Sequence, residues 1–454
     1  MRHLFVMRHA KAKKGDGDVN DHQRPLRKRG RRQAAAMARV LQQWQALEGQ
    51  ILVSDAARTR ETLDEIAGQL QETSLVERAR FDEALYHFDG QALLAWLKAL
   101  PNEADRVLVI GHNPALLELV HWLCGEVPQA LPIGSLLHVT LPDTPWSALE
   151  QHSAELAARL NPDEASHALF KRKAPVKPSL RKVGLAKRIR GLLEYQYRMV
   201  RALEPGVTAG VDPEFLHQYR VNLRRSRAIG ESVLATTKVP GLKKRLKRLK
   251  RRARATSELR DLDVFLESLT ETPPPLSPRS LQALERWLQA RHQEQHEALC
   301  QQLSTPDYDE DMQDWHGFII SKGFHKALQK LSSKRIEAVL AERIAGHDRD
   351  LASLSIDSTD EAFHELRKSV KRIRYLAELE PQRQKRFLEG LKHRQRLLGD
   401  LQDLCTRQAW IDVFSTNSRN APRRKQECDA WREALEEQKR ALREQVISLA
   451  PLGT

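Results

Sequence analysis

At 454 residues the chain is long enough for two or three domains, and with 41% apolar and 30% charged residues and no run approaching 18 apolar residues it has no transmembrane helix. Its four cysteines, Cys124, Cys300, Cys405 and Cys428, are too scattered for a disulfide scaffold or a cysteine zinc site. The formal charge of +15 is uneven: residues 1–170 hold 19 basic and 22 acidic side chains out of totals of 75 and 60, so a near-neutral region precedes one that is suited to meet a polyanion.

The first 145 residues alternate short strands with helices. Leu4–Met7 is an apolar strand, too short for a secretory h-region, and a cytoplasmic location is expected. A helix over Gly30–Trp44 places Ala34, Met37, Val40 and Leu41 at helical spacing. Ile51–Ser54 is a strand followed by a helix from about Thr59 to Leu70, and Gln91–Leu100 is a helix. The strand Arg106–Ile110 stops at Gly111, and Pro114 opens a helix to about Cys124. Ser135–Leu141 is read as the last strand and Trp146–Leu160 as a closing helix. This pattern predicts an α/β domain with a mostly parallel sheet flanked by helices over 1–170. Residues 171–184, KRKAPVKPSLRKVG, read as a basic, Pro-containing linker.

From Leu185 the strand signal stops. Helical periodicity runs through 185–203, 214–235, 241–255, 280–303, 311–345, 360–379, 384–402 and 425–448. The breaks are Pro205-Gly206, Pro240-Gly241, the TPPPLSP at 272–278, and Pro381. Residues 185–454 are therefore an all-α domain. It repeats internally: His217, Arg220, Arg224, Arg225 and Arg227 recur as His364, Arg367, Lys371, Arg372 and Arg374. Asp261 and Asp403 follow at equivalent places, so two related helical bundles are expected.

Chemistry in the first region gathers at strand ends, where open α/β sheets bind their ligands. Arg8 and His9 close the first strand, Arg58 follows the second, and Gly111-His112-Asn113-Pro114 follows a later one. Two arginines, two histidines and a helix N-terminus make a pocket for a compact dianion. His3, His22 and His87 are read as surface residues. His292 and His296, in HQEQH, lack a third ligand, and no metal site is expected.

These residues carry a resemblance. MRHAKA at 7–12, ArgProLeu at 24–26 with Gly30, SDAARTRET at 54–62 and GHNP at 111–114 resemble the histidine phosphatase superfamily, in its SixA-like phosphohistidine phosphatase branch, over about residues 1–165. The resemblance implies a phosphoglycerate-mutase-like fold and a covalent mechanism without cofactor or metal. His9 would attack phosphorus, Arg8 and Arg58 would hold the equatorial oxygens, His112 would donate a further hydrogen bond, and Arg24 would be an outer phosphate contact. Glu83 in FDEALY is the candidate general acid, with Asp82 its competitor.

In the second region, His217, Arg220, Arg224 and Arg227 share a helical arc of about 80° at 100° per residue, and so do His364, Arg367, Lys371 and Arg374. Like charges stacked this way oppose the helix, which suggests a stripe built for an anion. The segment 241–255, GLKKRLKRLKRRARA, adds Lys247, Arg248 and Arg251 among other cations. The duplicated motif, with Leu398, Gly399, Gln402 and Asp403, resembles the CHAD (conserved histidine α-helical) domain; the first copy departs, with Thr256 and Ser257 in place of Leu-Gly. The resemblance implies two four-helix bundles around a basic channel for inorganic polyphosphate. Aromatics are 6% of the chain and none is interleaved with the stripes, which argues against base-stacking recognition of single-stranded nucleic acid. No specific nucleic-acid or membrane partner is expected.

Three functions follow as expectations. The first is a phosphatase for phosphohistidine protein or a small phosphorylated compound, tethered to polyphosphate and associated with its granules. The second is a polyphosphate-binding protein with a vestigial phosphatase domain. The third is a phosphatase that hydrolyses polyphosphate itself.

Overall fold

The computed structural model describes residues 1–15, 20–125, 128–180, 183–417 and 422–453. It divides into two compact units, Met1–Ala174 with Pro205–Asp212, and Pro175–Glu204 with Pro213–Thr454. The predicted linker 171–184 straddles the division at Ala174/Pro175, and its Arg181 and Lys182 lie outside the described residues.

The first unit is a six-stranded sheet in the order β3-β2-β4-β1-β5-β6. The strands are β1 (Arg2–Arg8), β2 (Gln50–Ser54), β3 (Arg80–Asp82), β4 (Arg106–Gly111), β5 (Leu136–Leu141) and β6 (Glu155–Leu160). The first four are mutually parallel, β5 runs antiparallel to β1, and β6 runs antiparallel to β5. Alternation along β1 sends Phe5 and Met7 into one core and Leu4 and Val6 into the other. The first core is covered by α1 (Lys28–Gln43), α2 (Ala57–Leu70) and α3 (Ser74–Arg78), and the second by α4 (Gly90–Lys98) and α5 (Ala115–Cys124). Two short helices, α6 (Pro162–Ala165) and α7 (His167–Phe170), follow β6.

The predicted closing helix over Trp146–Leu160 is incorrect. Trp146–Ala148 is a single 3-10 turn and Glu155–Leu160 is an edge strand with every second residue less exposed. Its Glu, Leu, Ala and Arg favour helices in isolation, but pairing with β5 overrides that preference. Gly30 has a physical reason for its identity: a Cβ there would lie 2.3 Å from the Lys11 carbonyl oxygen. This close approach seats α1 beneath the loop that leaves β1.

The second unit is helical: α8 (Leu185–Ala209), α9 (Pro213–Thr236), α10 (Leu242–Ala255), α11 (Ser257–Glu271), α12 (Pro278–Leu303), α13 (Pro306–Ile320), α14 (Lys322–Leu328), α15 (Ser333–Ala352), α16 (Asp360–Ala377), α17 (Lys385–Asn417) and α18 (Pro422–Ile447), with the end of α8 grouped in the first unit. Three expectations change. The helix continues through Pro205 instead of breaking there, with Leu203 and Val207 buried on either side of it. The stretch 311–345 is parts of three helices, because Ser321 and Ser332 each cap a new N-terminus. The helix α11 is absent from the predicted pattern; it follows α10 after a single residue, Thr256. Helices α11, α12, α17 and α18 share one core around Leu262, Phe265, Leu288, Ile411 and Trp431. Among the described residues no helix is long and apolar enough to cross a membrane.

Candidate functional site

The parallel strands end together, and that edge collects the predicted pocket. β1 delivers Arg8 and His9, β2 delivers Ser54 and, at the start of α2, Arg58, and β4 delivers His112. The His9 and His112 rings lie 5.1 Å apart. His9 Nδ1 donates to the Ala10 carbonyl oxygen at 2.7 Å. A carbonyl can only accept, so Nδ1 carries the proton and Nε2 presents a free lone pair. Burial pushes His9 down to about 4, and the charges of Arg58, Arg8 and Arg24 add to this against the Ala10 hydrogen bond. The ring is therefore neutral through the physiological range, with a lone pair available at Nε2.

His112 is 2% exposed. Its Nε2 lies 2.8 Å from the Ser54 hydroxyl, and its Nδ1 has no partner among the described residues. With Ser54 donating to Nε2, the proton sits on Nδ1, where it can donate a hydrogen bond to a ligand oxygen. Burial, then Arg58 and His9, drives His112 down to about 2. Arg8 is anchored through Nη1 to the Leu131 carbonyl oxygen at 2.8 Å. Arg58 is 2% exposed and binds the backbone and carboxylate oxygens of Asp21 at 2.7 and 3.1 Å. Arg24 pairs with the same carboxylate at 3.0 Å. Arg8, Arg24 and Arg58 thus all act on His9 by charge.

Sequence reasoning missed five participants. Asp21 joins Arg24, Arg58 and the Tyr86 hydroxyl, which donates to it at 2.7 Å; these contacts hold its carboxyl below the usual range. Ser54 lay unremarked inside the SDAAR motif. His22, read as a surface residue, pairs with Asp55 at 2.8 Å and packs edge-on against Tyr86. Tyr86 and Phe88 approach His112 at ring distances of 5.2 and 5.7 Å. The acid candidates are not brought in. Glu83 is exposed on a 3-10 turn, with no contact to His9, Arg58 or His112 among the described residues. Asp82 is taken up by Arg80, the Ala84 amide and the Trp96 indole.

In the helical unit, α9 and α16 pack together, and their stripes meet: Arg224 lies close enough to act on both Arg367 and Lys371. Burial, then Arg367 and Arg224, brings Lys371 down to about 7. Among the described residues Arg224, Arg367 and Lys371 have no carboxylate within ion-pair distance, while Arg225 and Arg372 are exposed. Asp261 and Asp403 sit behind the stripes, beside Arg220 and Arg367. Arg220 is tied to Thr256 and Ser257 at 2.7 and 3.2 Å, so the departure from Leu-Gly supplies hydroxyl acceptors. His364 hydrogen-bonds Gln402 through Nδ1, and His217 feels Arg260.

Not all stripe charges are free. Arg227 pairs with Glu231 and Arg374 with Glu378, so an acid follows one turn after the last arginine of each stripe. On α10, Arg248 and Arg251 turn to Asp311 and Asp314 of α13, which removes them from the cluster, whereas Lys247 is exposed. His292 is bound to Asp263 at 2.8 Å, and among the described residues no group of three potential ligands gathers for a metal.

A mainly parallel sheet that presents Arg-His, a buried arginine and a second histidine at one edge defines a domain of the histidine phosphatase type, and the chain also holds a duplicated helical domain with cationic stripes. The chain belongs to the histidine phosphatase superfamily (branch 1), whose model matches residues 4–109, and it carries a CHAD domain, whose model matches residues 191–412. It is 33% identical over 143 residues to phosphohistidine phosphatase SixA of Escherichia coli, a match covering 31% of this chain and 86% of that protein. It is 32% identical over 138 residues to an uncharacterized chloroplastic protein of Arabidopsis thaliana, covering 27% of this chain and 60% of that protein's length. The CHAD domain of the plant Ricinus communis shares the helical fold at 20% identity and a TM-score of 0.50, with 61% of this chain and 96% of that one covered.

Proposed function

We propose that the first unit removes the phosphoryl group of phosphohistidine, on a protein or a small compound, and that the CHAD domain binds inorganic polyphosphate. The observation that carries the first part is His9: a buried ring with its proton fixed on Nδ1 and three arginines acting on it. His9 Nε2 forms a bond to phosphorus while the bond from phosphorus to the substrate's imidazole nitrogen breaks. The leaving imidazole departs neutral when its far nitrogen carries a proton. That suits a pocket to which neither Glu83 nor Asp82 is brought. Water then attacks phosphorus on His9, releasing phosphate and restoring the free ring. Arg8 and Arg58 hold the equatorial oxygens as charge spreads over them, and His112 Nδ1 donates to one of them.

The second part is supported by Arg224 and Arg367 on facing helices and by Lys371 beside them, which at about 7 is poised to take up a proton when a polyanion offsets the neighbouring arginines. Polyphosphate is a thin polyanion without bases, and cationic stripes without stacking rings match it. Polyphosphate granules are the place in the cell where such a chain would gather.

The test is phosphate release from phosphohistidine protein, p-nitrophenyl phosphate and polyphosphate, by the wild type and His9→Ala. Acid-labile phosphate trapped on the wild type and absent from the variant supports the mechanism. Turnover by His9→Ala, or dependence on added metal, would overturn it. Release from polyphosphate alone would make polyphosphate the substrate.

A further inference from the structure

The mouth of the phosphoryl pocket carries aromatic rings that the chemistry at phosphorus does not use. Phe88 is 47% exposed, although large apolar side chains are mostly buried in this chain. It sits 5.5 Å from Tyr86, edge to face, and 5.7 Å from His112. Tyr86 is held from behind, its hydroxyl on Asp21 and its ring between His22 and the Arg58 guanidinium. The His9 ring faces His112, and among the described residues it makes no ring contact with Tyr86 or Phe88. The two aromatic rings therefore border the site through His112 and Arg58 and not through His9.

Phosphoryl transfer is in line, so the leaving group departs opposite the nucleophile. The exposed Phe88 ring borders the site beside His112, within reach of a leaving group that projects toward solvent. An uncovered phenyl ring at the rim of a cationic pocket is favoured when a flat partner covers it, because aromatic faces and edges attract in offset or edge-to-face pairs. Tyr86 cannot turn away without losing its Asp21 hydrogen bond, so it forms a fixed backing, and Phe88 is the exposed face.

We propose that Phe88, backed by Tyr86, determines specificity by receiving the planar ring of the leaving group, the imidazole of phosphohistidine or an aryl group, so that the site discriminates against alkyl phosphates. The proposal rests on the reading of the domain as a phosphatase acting through His9, and it names the substrate class of that site. Phe88 takes no part in holding the phosphoryl group.

The experiment measures kcat/KM of the full chain for N-phosphoimidazole, phenyl phosphate and ethyl phosphate. The readout is the ratio of each ring substrate to ethyl phosphate, in which any loss of folded protein cancels. Phe88→Ala and Phe88→Leu are expected to lower that ratio about five- to tenfold, the range of one aromatic pair, and Phe88→Tyr to restore it. The leucine variant separates a ring requirement from simple apolar contact. An unchanged ratio in all variants overturns the proposal. A fall for phenyl phosphate but not N-phosphoimidazole keeps the ring surface and rejects imidazole as the group it receives. A wild type that turns over none of the three and traps no phosphoenzyme overturns the phosphatase reading itself.

Discussion

Acidification separates His9 from an ordinary histidine. The native ring titrates at about 4, against 6.5 for a free one, because burial and the charges of Arg58, Arg8 and Arg24 disfavour its cation. That depression of about 2.5 units is about 3 kcal/mol between protonation states. At pH 5 about nine-tenths of His9 stays unprotonated, where an ordinary histidine would keep about 3%. The native value lies below the unfolded one, so between pH 6.5 and 4 the unfolded chain takes up a proton that the native site refuses. The contribution to stability is whole above pH 6.5 and is lost as pH falls through that window, by about 3 kcal/mol for His9. His112, at about 2, continues to lose stability below it. The assay is an NMR titration of ring-labelled histidines, assigned by the loss of one signal each in His9→Gln and His112→Gln. Inorganic phosphate should raise both values, since a dianion offsets the arginines that lower them. A His9 midpoint near 6.5 without phosphate, or no upward shift with it, would refute the electrostatic account of the nucleophile.

Ser54→Ala should lower kcat about tenfold with little change in KM, because the His112 proton is no longer fixed on Nδ1 and the lost donation is made in the transition state; steady-state kinetics with p-nitrophenyl phosphate decide, and equal loss in KM would count against it. Replacing Arg224, Arg367 and Lys371 together by alanine should weaken polyphosphate binding at least a hundredfold, at about 1.5–3 kcal/mol per charged contact, and should flatten its salt dependence. Lys322→Ala and Lys330→Ala should matter far less, and duplex DNA should compete poorly; a triple variant that binds like wild type removes the stripe reading. Asp311→Ala should destabilise the helical unit by about 3 kcal/mol in denaturant melts, because a buried carboxylate there serves Arg248, Arg251 and Arg252. The same change should not reduce polyphosphate affinity, and a marked fall would return Arg248 and Arg251 to the binding surface.

Much of this protein is legible in one dimension. The α/β and all-α halves follow from hydrophobic period, the asymmetry of charge from counting, and the pairing of two stripes from a repeat 147 residues long. His9, Arg8, Arg58 and His112 are readable because strand ends are marked by the switch from apolar runs to polar residues, and strand ends are where sheets bind ligands. Arg24 could be placed only by its motif. Contacts that join distant segments with no local pattern were not readable: Tyr86 and Phe88 reach His112 from a 3-10 turn, and Asp21 reaches Arg58 across 37 residues. The edge strand Glu155–Leu160 was misread for a related reason, since its hydrogen-bond partner β5 outweighs the helical preference of its own residues. Charge behaves likewise. Sequence counts every arginine equally, but only packing decides that Arg248 and Arg251 are bound to Asp311 while Arg224, Arg367 and Lys371 stay free. A side chain's type sets what it can do, and the neighbours that the fold brings within a few ångströms decide whether it is free to do it.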